Sequence, residues 1–314
     1  MRFELIILGT SGGLPTADRN CSAAMLRTET TDVLIDCGEG TQRQLLQAGL
    51  GMGRVSHILI THLHGDHYFG LPGLFSSLGM NGRKAPLTIV SPQPLRPRIA
   101  PMLEMDTYAP PFPVHFETIL ATEGFTPVAE LKGLEVFAFP LQHRVPTNGY
   151  LLREKLREAN IRKLAIDKYD IPWPAIKAIK AGADYTLPNG KVIPHEELTL
   201  PVPPPRSYAH CSDTVYFPEL AQHVNQVDLL YHEATFLDDM AADAAKKGHS
   251  TAREAAVTAK DAQVGQLVMG HLSSRYENGV AHDAEARAIF PNSHTAKDFW
   301  RVEVPFAGRG KLVK

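Results

Sequence analysis

Apolar residues in this chain come in short runs whose period changes along the sequence. Leu5 to Leu8 is four apolar residues long, enough for a strand covered on both faces, and a Gly-rich turn, Gly9-Thr10-Ser11-Gly12-Gly13-Leu14-Pro15, follows it. Ser22 to Leu26 and Val33 to Asp36 are further strand candidates, and Cys37-Gly38-Glu39-Gly40-Thr41 opens a helix through Gln42 to Ala48. Phe69 to Leu78 has helical spacing. Leu87 to Ser91, Val114 to Ile119, Leu134 to Phe139 and Gly149 to Leu152 read as strands between Pro and Gly breakers. Ser207 to Cys211, Leu229 to His232 and Gln266 to Met269 are short strands. Thr251 to Ala262 and Ala284 to Ile289 are predicted helices. Strands and helices alternate, so the pattern predicts an α/β architecture.

One stretch breaks the pattern. Arg153 to Lys180 carries eight basic residues and four acidic ones, and Pro201-Val202-Pro203-Pro204-Pro205 then returns the chain to a strand. The segment reads as an insertion with its own short helices. Its bland interpretation is a solvated amphipathic helix pair.

Composition narrows the function classes. With 314 residues, 44% of them apolar, the chain can bury a large core as one domain. A net charge of −2 provides no global basic field, so a nucleic-acid partner needs a local patch. Cys21, Cys37 and Cys211 are odd in number and form no C-x-x-C, which favours a reducing cytoplasm over a disulfide framework. The stretch Met1 to Gly9 is too short in apolar length for a signal peptide, and no run of roughly 18 apolar residues suggests a membrane span.

The strongest chemical signal is Thr61-His62-Leu63-His64-Gly65-Asp66-His67, directly behind the β-type run His57 to Ile60. Three imidazoles and a carboxylate in one tight turn are costly to hold without a cation. Imidazole suits zinc and similar first-row metals. His62 and His64, alternating, aim at one ion, and Asp66 and His67 reach a second. His143, Asp213 and His271 each end a strand-like apolar run. Any one of them alone reads as a turn residue, but together with the histidine turn they complete a two-metal ligand set. Asp213 is the natural bridge, with His62, His64, His143 and Asp213 on one zinc and Asp66, His67, Asp213 and His271 on the other. Manganese or iron(II) would suit the same ligands. Two cations would acidify a shared water into a nucleophile for a phosphodiester, ester or amide.

Beyond the metal motif, the chain resembles the metallo-β-lactamase superfamily and, within it, the ribonuclease Z family of tRNA 3′-processing endonucleases. The resemblance rests on Gly9 to Pro15 with Arg19-Asn20, on Asp36 to Gln44, on Thr61 to His67 continued by Gly70-Leu71-Pro72-Gly73-Leu74, and on His232-Glu233-Ala234-Thr235-Phe236. Gly248-His249-Ser250-Thr251-Ala252 and His271-Leu272-Ser273-Ser274-Arg275-Tyr276 complete it. It implies a four-layer αβ/βα sandwich formed by residues 1–314, with residues 153–204 as a protruding arm that grips tRNA. It also implies two zinc ions per subunit, a cytoplasmic homodimer, and removal of the 3′ trailer from precursor tRNA to leave a 3′-hydroxyl. Two positions depart from the family's pattern. The arm reads Ile171-Pro172-Trp173-Pro174-Ala175-Ile176 where a Gly-Pro segment is common, and Ala17 stands where a lysine is usual.

On this basis Asp66 is both ligand and proton acceptor, and His249, oriented by Glu233, is the candidate donor to the leaving oxygen. Ser250 and Thr251, at a predicted helix start, and Arg275 are candidate phosphate contacts. His57, His115, His195, His210, His223, His282 and His294 match no motif and are expected to be structural or exposed, and His232 is expected to pack. A small-molecule phosphodiesterase or ester hydrolase of the same superfamily is the alternative function. A tRNA-binding protein with structural metals is a more distant one, because structural sites are normally closed.

Overall fold

The computed structural model describes residues 2–108 and 110–306 in full and residues 311–313 by their backbone. Two compact units emerge: residues 1–153 with 206–314, and Glu154–Pro205.

Among the described residues the larger unit is built on two sheets. The first uses β1 (Phe3–Gly9), β2 (Ala23–Thr28), β3 (Asp32–Ile35), β4 (Val55–Leu59), β5 (Leu87–Ser91) and β6 (Val114–Thr118). The second uses β7 (Thr126–Leu131), β8 (Leu134–Pro140), β9 (Asn148–Glu154), β10 (Ser207–Cys211), β11 (Leu229–Glu233), β12 (Gln266–Gly270) and β13 (Ser293–Thr295). Near the C-terminus, β14 (Arg301–Glu303) and β15 (Lys311–Val313) return to the first sheet. The orders are β15-β14-β1-β2-β3-β4-β5-β6 and β13-β12-β11-β10-β9-β8-β7. Strands β3 to β6 and β10 to β13 run parallel within their sheets.

The continuous apolar runs follow from burial on both faces. Phe3, Leu5 and Ile7 of β1 point between the sheets, where they meet Leu152, Tyr208, Leu229 and Val268. Ile6 and Leu8, one residue out of phase, pack with Leu45, Leu71 and Leu74 of the helices Thr41–Gln47 and Leu71–Met80. On the far side, Leu230, Leu267 and Met269 pack with Ala255, Ala256 and Ala259 of helix Ala252–Asp261. Alanine lets that helix sit close to the sheet, and a capping box between Thr251 and Glu254 starts it. The layers are therefore helix, sheet, sheet, helix, the expected αβ/βα sandwich.

Several local expectations change. The helical pattern at Phe69 is two helices, Gly65–Tyr68 and Leu71–Met80, the second with Pro in its first turn. The last helix runs Val280–Arg287, four residues earlier than predicted, because a buried His282 occupies its inner face with Ala286. Strand β7 was not predicted from its pattern. It is a half-exposed edge strand, and its Pro127 is tolerated there beside a register shift.

The unit Glu154–Pro205, one residue offset from the expected insertion, closes on a small core of its own: Ala165, Ile171, Ile179, Ile193 and Leu198. It contains helices Lys163–Tyr169 and Trp173–Lys180, with Trp173 largely exposed.

Candidate metal centre

The histidine turn follows β4, and its geometry is set by a residue from the next strand over. Asp36, at the end of β3, is buried and adopts a left-handed φ of 56°. Its Oδ1 accepts the Thr61 amide at 2.8 Å, and its Oδ2 accepts the Thr61 hydroxyl at 2.9 Å and His67 Nδ1 at 2.8 Å. Thr61 Oγ1 lies 3.1 Å from His62 Nδ1. One strained carboxylate thus fixes the rings of two candidate ligands, directly and through a threonine.

The remaining rings are oriented in the same way. His143 Nδ1 donates to the Gly248 carbonyl at 2.6 Å. His271, itself at φ 57°, places Nδ1 3.0 Å from Thr235 Oγ1, whose hydroxyl donates to Glu233 Oε2 at 2.6 Å. With Nδ1 committed in His62, His67, His143 and His271, each presents Nε2 to the centre, and His64 presents Nδ1.

Two groups of facing atoms result. In the first, His64 Nδ1 lies 2.9 Å from His62 Nε2 and 3.3 Å from His143 Nε2. Asp213 Oδ2 is 3.5 Å from His62 Nε2 and 3.8 Å from His143 Nε2. In the second, Asp66 Oδ2 is 3.3 Å from His67 Nε2 and 3.5 Å from His271 Nε2. Asp213 Oδ1 is 3.5 Å and 3.2 Å from the same two nitrogens. Four ligands at about 2.0–2.1 Å from a tetrahedral cation stand about 3.3–3.4 Å from one another. Both groups match that spacing, and Asp213 gives one oxygen to each. His67 Nε2 and His271 Nε2 are buried without a hydrogen-bond partner, as lone pairs reserved for a cation would be. The residues therefore fit divalent metal.

Protonation tells the same story. Burial favours the neutral forms of His62, His64 and His143 and lowers their pKa. Burial opposes charge on His67 as well, but Asp213, Asp36 and Asp66 overcome it and raise its pKa well above the usual value. For Asp213, burial raises the pKa, and His271, His67, His62 and His249 more than reverse it. Asp66 and Asp213 therefore stay ionised and demand positive charge, which protons on histidine or bound cations can provide.

Beside this cluster stands a second pair. Glu233, fully buried at the end of β11, accepts His249 Nδ1 at 2.9 Å, the Thr214 and Ser250 amides at 3.1 Å each and the Thr235 amide at 2.9 Å. Burial opposes charge on His249, but the Glu233 carboxylate prevails and raises its pKa to about 9. His249 lies within ligating reach of Asp213 and His271, yet its Nδ1 is committed to Glu233. Its Nε2 is left for the cavity.

That cavity is open and holds about 520 Å³. His64, Asp66, Asp213, His249 and His271 line it together with Gly12, Gly13, Arg144, Thr235, Phe236, Lys247 and Ser273. The Gly13 amide donates to Asp66 Oδ2 at 3.0 Å.

The structure thus brings His62, His64, Asp66, His67, His143, Asp213, His249, His271 and Glu233 into one centre. It does not bring Ser250 and Thr251 to the cavity. Both are buried. The Ser250 hydroxyl donates to the Thr214 carbonyl at 2.7 Å, and the Thr251 side chain caps helix Ala252–Asp261. Arg275 is exposed, with its guanidinium 5.1 Å from the Phe236 ring centre. His210 stacks on Tyr231 and His223 on Phe139, while His232 and His282 are buried away from the cavity wall. Asp36, Thr235 and Gly248 were not singled out for this role. Their trace in the sequence is membership of the blocks Asp36 to Gln44, His232 to Phe236 and Gly248 to Ala252 that carry the family resemblance.

The metallo-β-lactamase superfamily pattern matches residues 16–133. A ribonuclease Z from Parabacteroides distasonis is 42% identical over 302 residues, covering 96% of this chain and 99% of its own. A ribonuclease Z from Bacteroides fragilis is 43% identical over 297 residues, covering 95% and 97%. Among solved structures, human tRNase Z, short form, superposes with a TM-score of 0.70 at 29% identity, covering 96% of this chain and 99% of its own.

Proposed function

The chain belongs to the ribonuclease Z family within the metallo-β-lactamase superfamily, and from that premise we propose how it works on its substrate. It is a metal-dependent endoribonuclease of tRNA 3′-end processing. One observation carries the chemistry: Asp213 faces two ligand groups at once, with the His249–Glu233 pair on the same cavity wall.

We assign two zinc ions, one held by His62, His64, His143 and Asp213 and the other by Asp66, His67, Asp213 and His271. Manganese or iron(II) would fit the same donors. When bound, the cations neutralise phosphate charge and acidify water. The chain's own residues do the rest. Asp66 accepts a backbone donor on Oδ2, and its Oδ1 has no protein donor among the described residues, so Oδ1 is positioned to take the proton of the attacking water. His249, kept protonated by Glu233, delivers a proton from Nε2 to the departing 3′-oxygen. The tRNA keeps a 3′-hydroxyl and the trailer keeps the phosphate.

The insertion at 153–204 is assigned as the arm that holds the body of tRNA. Its stretch Arg153 to Lys180, with eight basic residues against four acidic ones, supplies local positive charge in a chain of net −2. A homodimer follows from the short-form resemblance. Three free, buried cysteines suit a reducing cytoplasm. No described helix is long and apolar enough to cross a membrane. The small-molecule hydrolase reading is less well supported, because the ribonuclease Z relatives align over almost the whole chain, insertion included.

The test is incubation of the zinc-loaded enzyme with a trailer-bearing precursor tRNA, followed by mapping of the product ends. Cutting at the trailer junction is expected. Hydrolysis of a small diester without any cut in the precursor would remove the tRNA assignment. Asp66→Ala is expected to abolish turnover while leaving tRNA binding largely intact.

A further inference from the structure

Two cations on the cavity wall have no role in the chemistry described so far. Arg144 follows the candidate ligand His143, and Lys247 precedes Gly248 and His249. The two segments are tied together by the His143–Gly248 hydrogen bond. Arg144 Cγ lies 3.4 Å from the position a Cβ would take on Gly248, so the two residues flank one point of the wall. Both line the cavity, and among the described residues neither makes an ion pair or a side-chain hydrogen bond. Lys247 is already placed, with its ammonium 5.2 Å from the centre of the buried Phe236 ring. Arg144 is close enough for its charge to disfavour protonation of both His64 and His249.

Balancing the carboxylates of the centre does not explain them. Two divalent cations against Asp66, Asp213 and the buried Asp36 leave the loaded centre positive until the attacking water gives up its proton, and Glu233 is already matched by His249. Two more unpaired cations beside a positive centre repel it. Both side chains are exposed, so water bears part of that cost, and an anion whose charge extends past the reacting phosphate turns the remaining repulsion into attraction. Cations without ion-pair partners, on two segments tied by the His143–Gly248 hydrogen bond and facing a polyanion's reaction site, are placed to contact neighbouring phosphates.

We infer that Arg144 and Lys247 form a phosphate-binding subsite for the acceptor strand immediately upstream of the bond that is cut, and so help fix which bond is cut. The side of the bond follows from the acid. His249 protonates the oxygen that stays with the mature tRNA, so the nucleotide carrying that oxygen lies against the His249 wall. The phosphate on its 5′ side then faces the two cations next to His249. The trailer leaves toward the opposite wall of Gly12, Gly13 and Ser273. This inference rests on the ribonuclease Z reading and on His249 as the acid.

Binding and cutting test it separately. The metal-stripped protein is titrated with precursor tRNA and with the same tRNA lacking its trailer, over a range of salt. Arg144→Gln and Lys247→Gln are each expected to weaken both complexes about tenfold, and each lost single-strand phosphate contact should lower the salt slope by about 0.7. The zinc-loaded variants should spread their product ends over adjacent bonds where the wild type cuts one. Lys246→Gln, an exposed neighbour that does not line the cavity, serves as the charge control and should match the wild type. Affinity lost only for the trailer-bearing RNA would place the cations on the trailer and overturn the inference. So would variants that bind and cut as the wild type does, or a Lys246→Gln effect of equal size. Failure of the wild type to cut the precursor would instead overturn the underlying ribonuclease Z reading.

Discussion

His249 shows how a single proton is managed here. Its pKa is raised to about 9 in the metal-free protein because Glu233 outweighs the cost of burial. A group with a raised folded-state pKa stabilises the fold fully below its ordinary value, near 6.5, and loses that contribution as pH climbs through about 9. Denaturant melts of the metal-free protein should therefore show stability falling across that window, and His249→Gln should flatten the fall. In turnover, losing the proton donor is expected to cost about 10²–10⁴-fold. Glu233→Gln should lower rate and alkaline limit together, because it removes the charge that keeps His249 protonated. The candidate ligands were legible only jointly: His143, Asp213 and His271 each end an apolar run, and each alone reads as a turn residue until the histidine turn is set beside it. Asp36, Thr235 and Gly248 were not, since they act on the ligand rings from elements distant in sequence, through a carboxylate, a hydroxyl and a carbonyl. Ser250 and Thr251 mislead for the opposite reason. A hydroxyl beside the proposed acid His249 looks free for substrate, but Ser250 is committed to the Thr214 carbonyl and Thr251 to the helix start.

At the scale of elements, the site is where strands of the two sheets end together. Strand β4 delivers the histidine turn, β8 leads to His143, β10 to Asp213, β11 to Glu233 and β12 to His271. The loop between helix Ala241–Lys247 and helix Ala252–Asp261 closes the ring by passing Gly248 over His143. Gly248 has a φ of 82°, and a Cβ there would fall 2.6 Å from His143 Nδ1. Gly248→Ala should therefore cost about 1–2 kcal/mol of stability from the left-handed backbone and displace the His143 ring. Metal analysis should show occupancy of the His62–His64–His143 group reduced more than that of its neighbour. Full occupancy in a well-folded Gly248→Ala protein would contradict this. Long apolar strands and the Ala-rich helix were readable because burial on both faces leaves unbroken runs. The edges β7 and β13 were not, because half-exposed β7 is interrupted by Pro127 and β13 is three polar residues with no apolar run.

For the molecule as a whole, metal and fold are coupled. A fold that gathers seven imidazoles and carboxylates is relieved of unpaired lone pairs when cations bind. Free metal at about a hundred times its Kd adds about 2.7 kcal/mol per ion to stability. Chelation should therefore lower Tm by several degrees, and zinc should restore it. A Tm indifferent to chelator would show that the cluster is satisfied without metal. The insertion makes the complementary point. Its residues 154–205 close on a separate core, while Arg153 and Ser207 pair across adjacent antiparallel strands. Replacing 155–205 with a two-residue Asn-Gly turn, which keeps the buried Arg206 on the Val304 carbonyl, is therefore expected to preserve the hydrolytic centre and its action on a small diester. Affinity for precursor tRNA should fall by at least about tenfold, and most at low salt, where phosphate contacts count most.

Because the chain leaves and re-enters the sheet at partnered residues, the insertion is attached like a cassette. A lineage could lengthen, shorten or exchange it without disturbing a single metal ligand. On the proposed reading of the insertion, address and chemistry are inherited as separate parts, and editing the first would bring a new substrate while the second stays as it was.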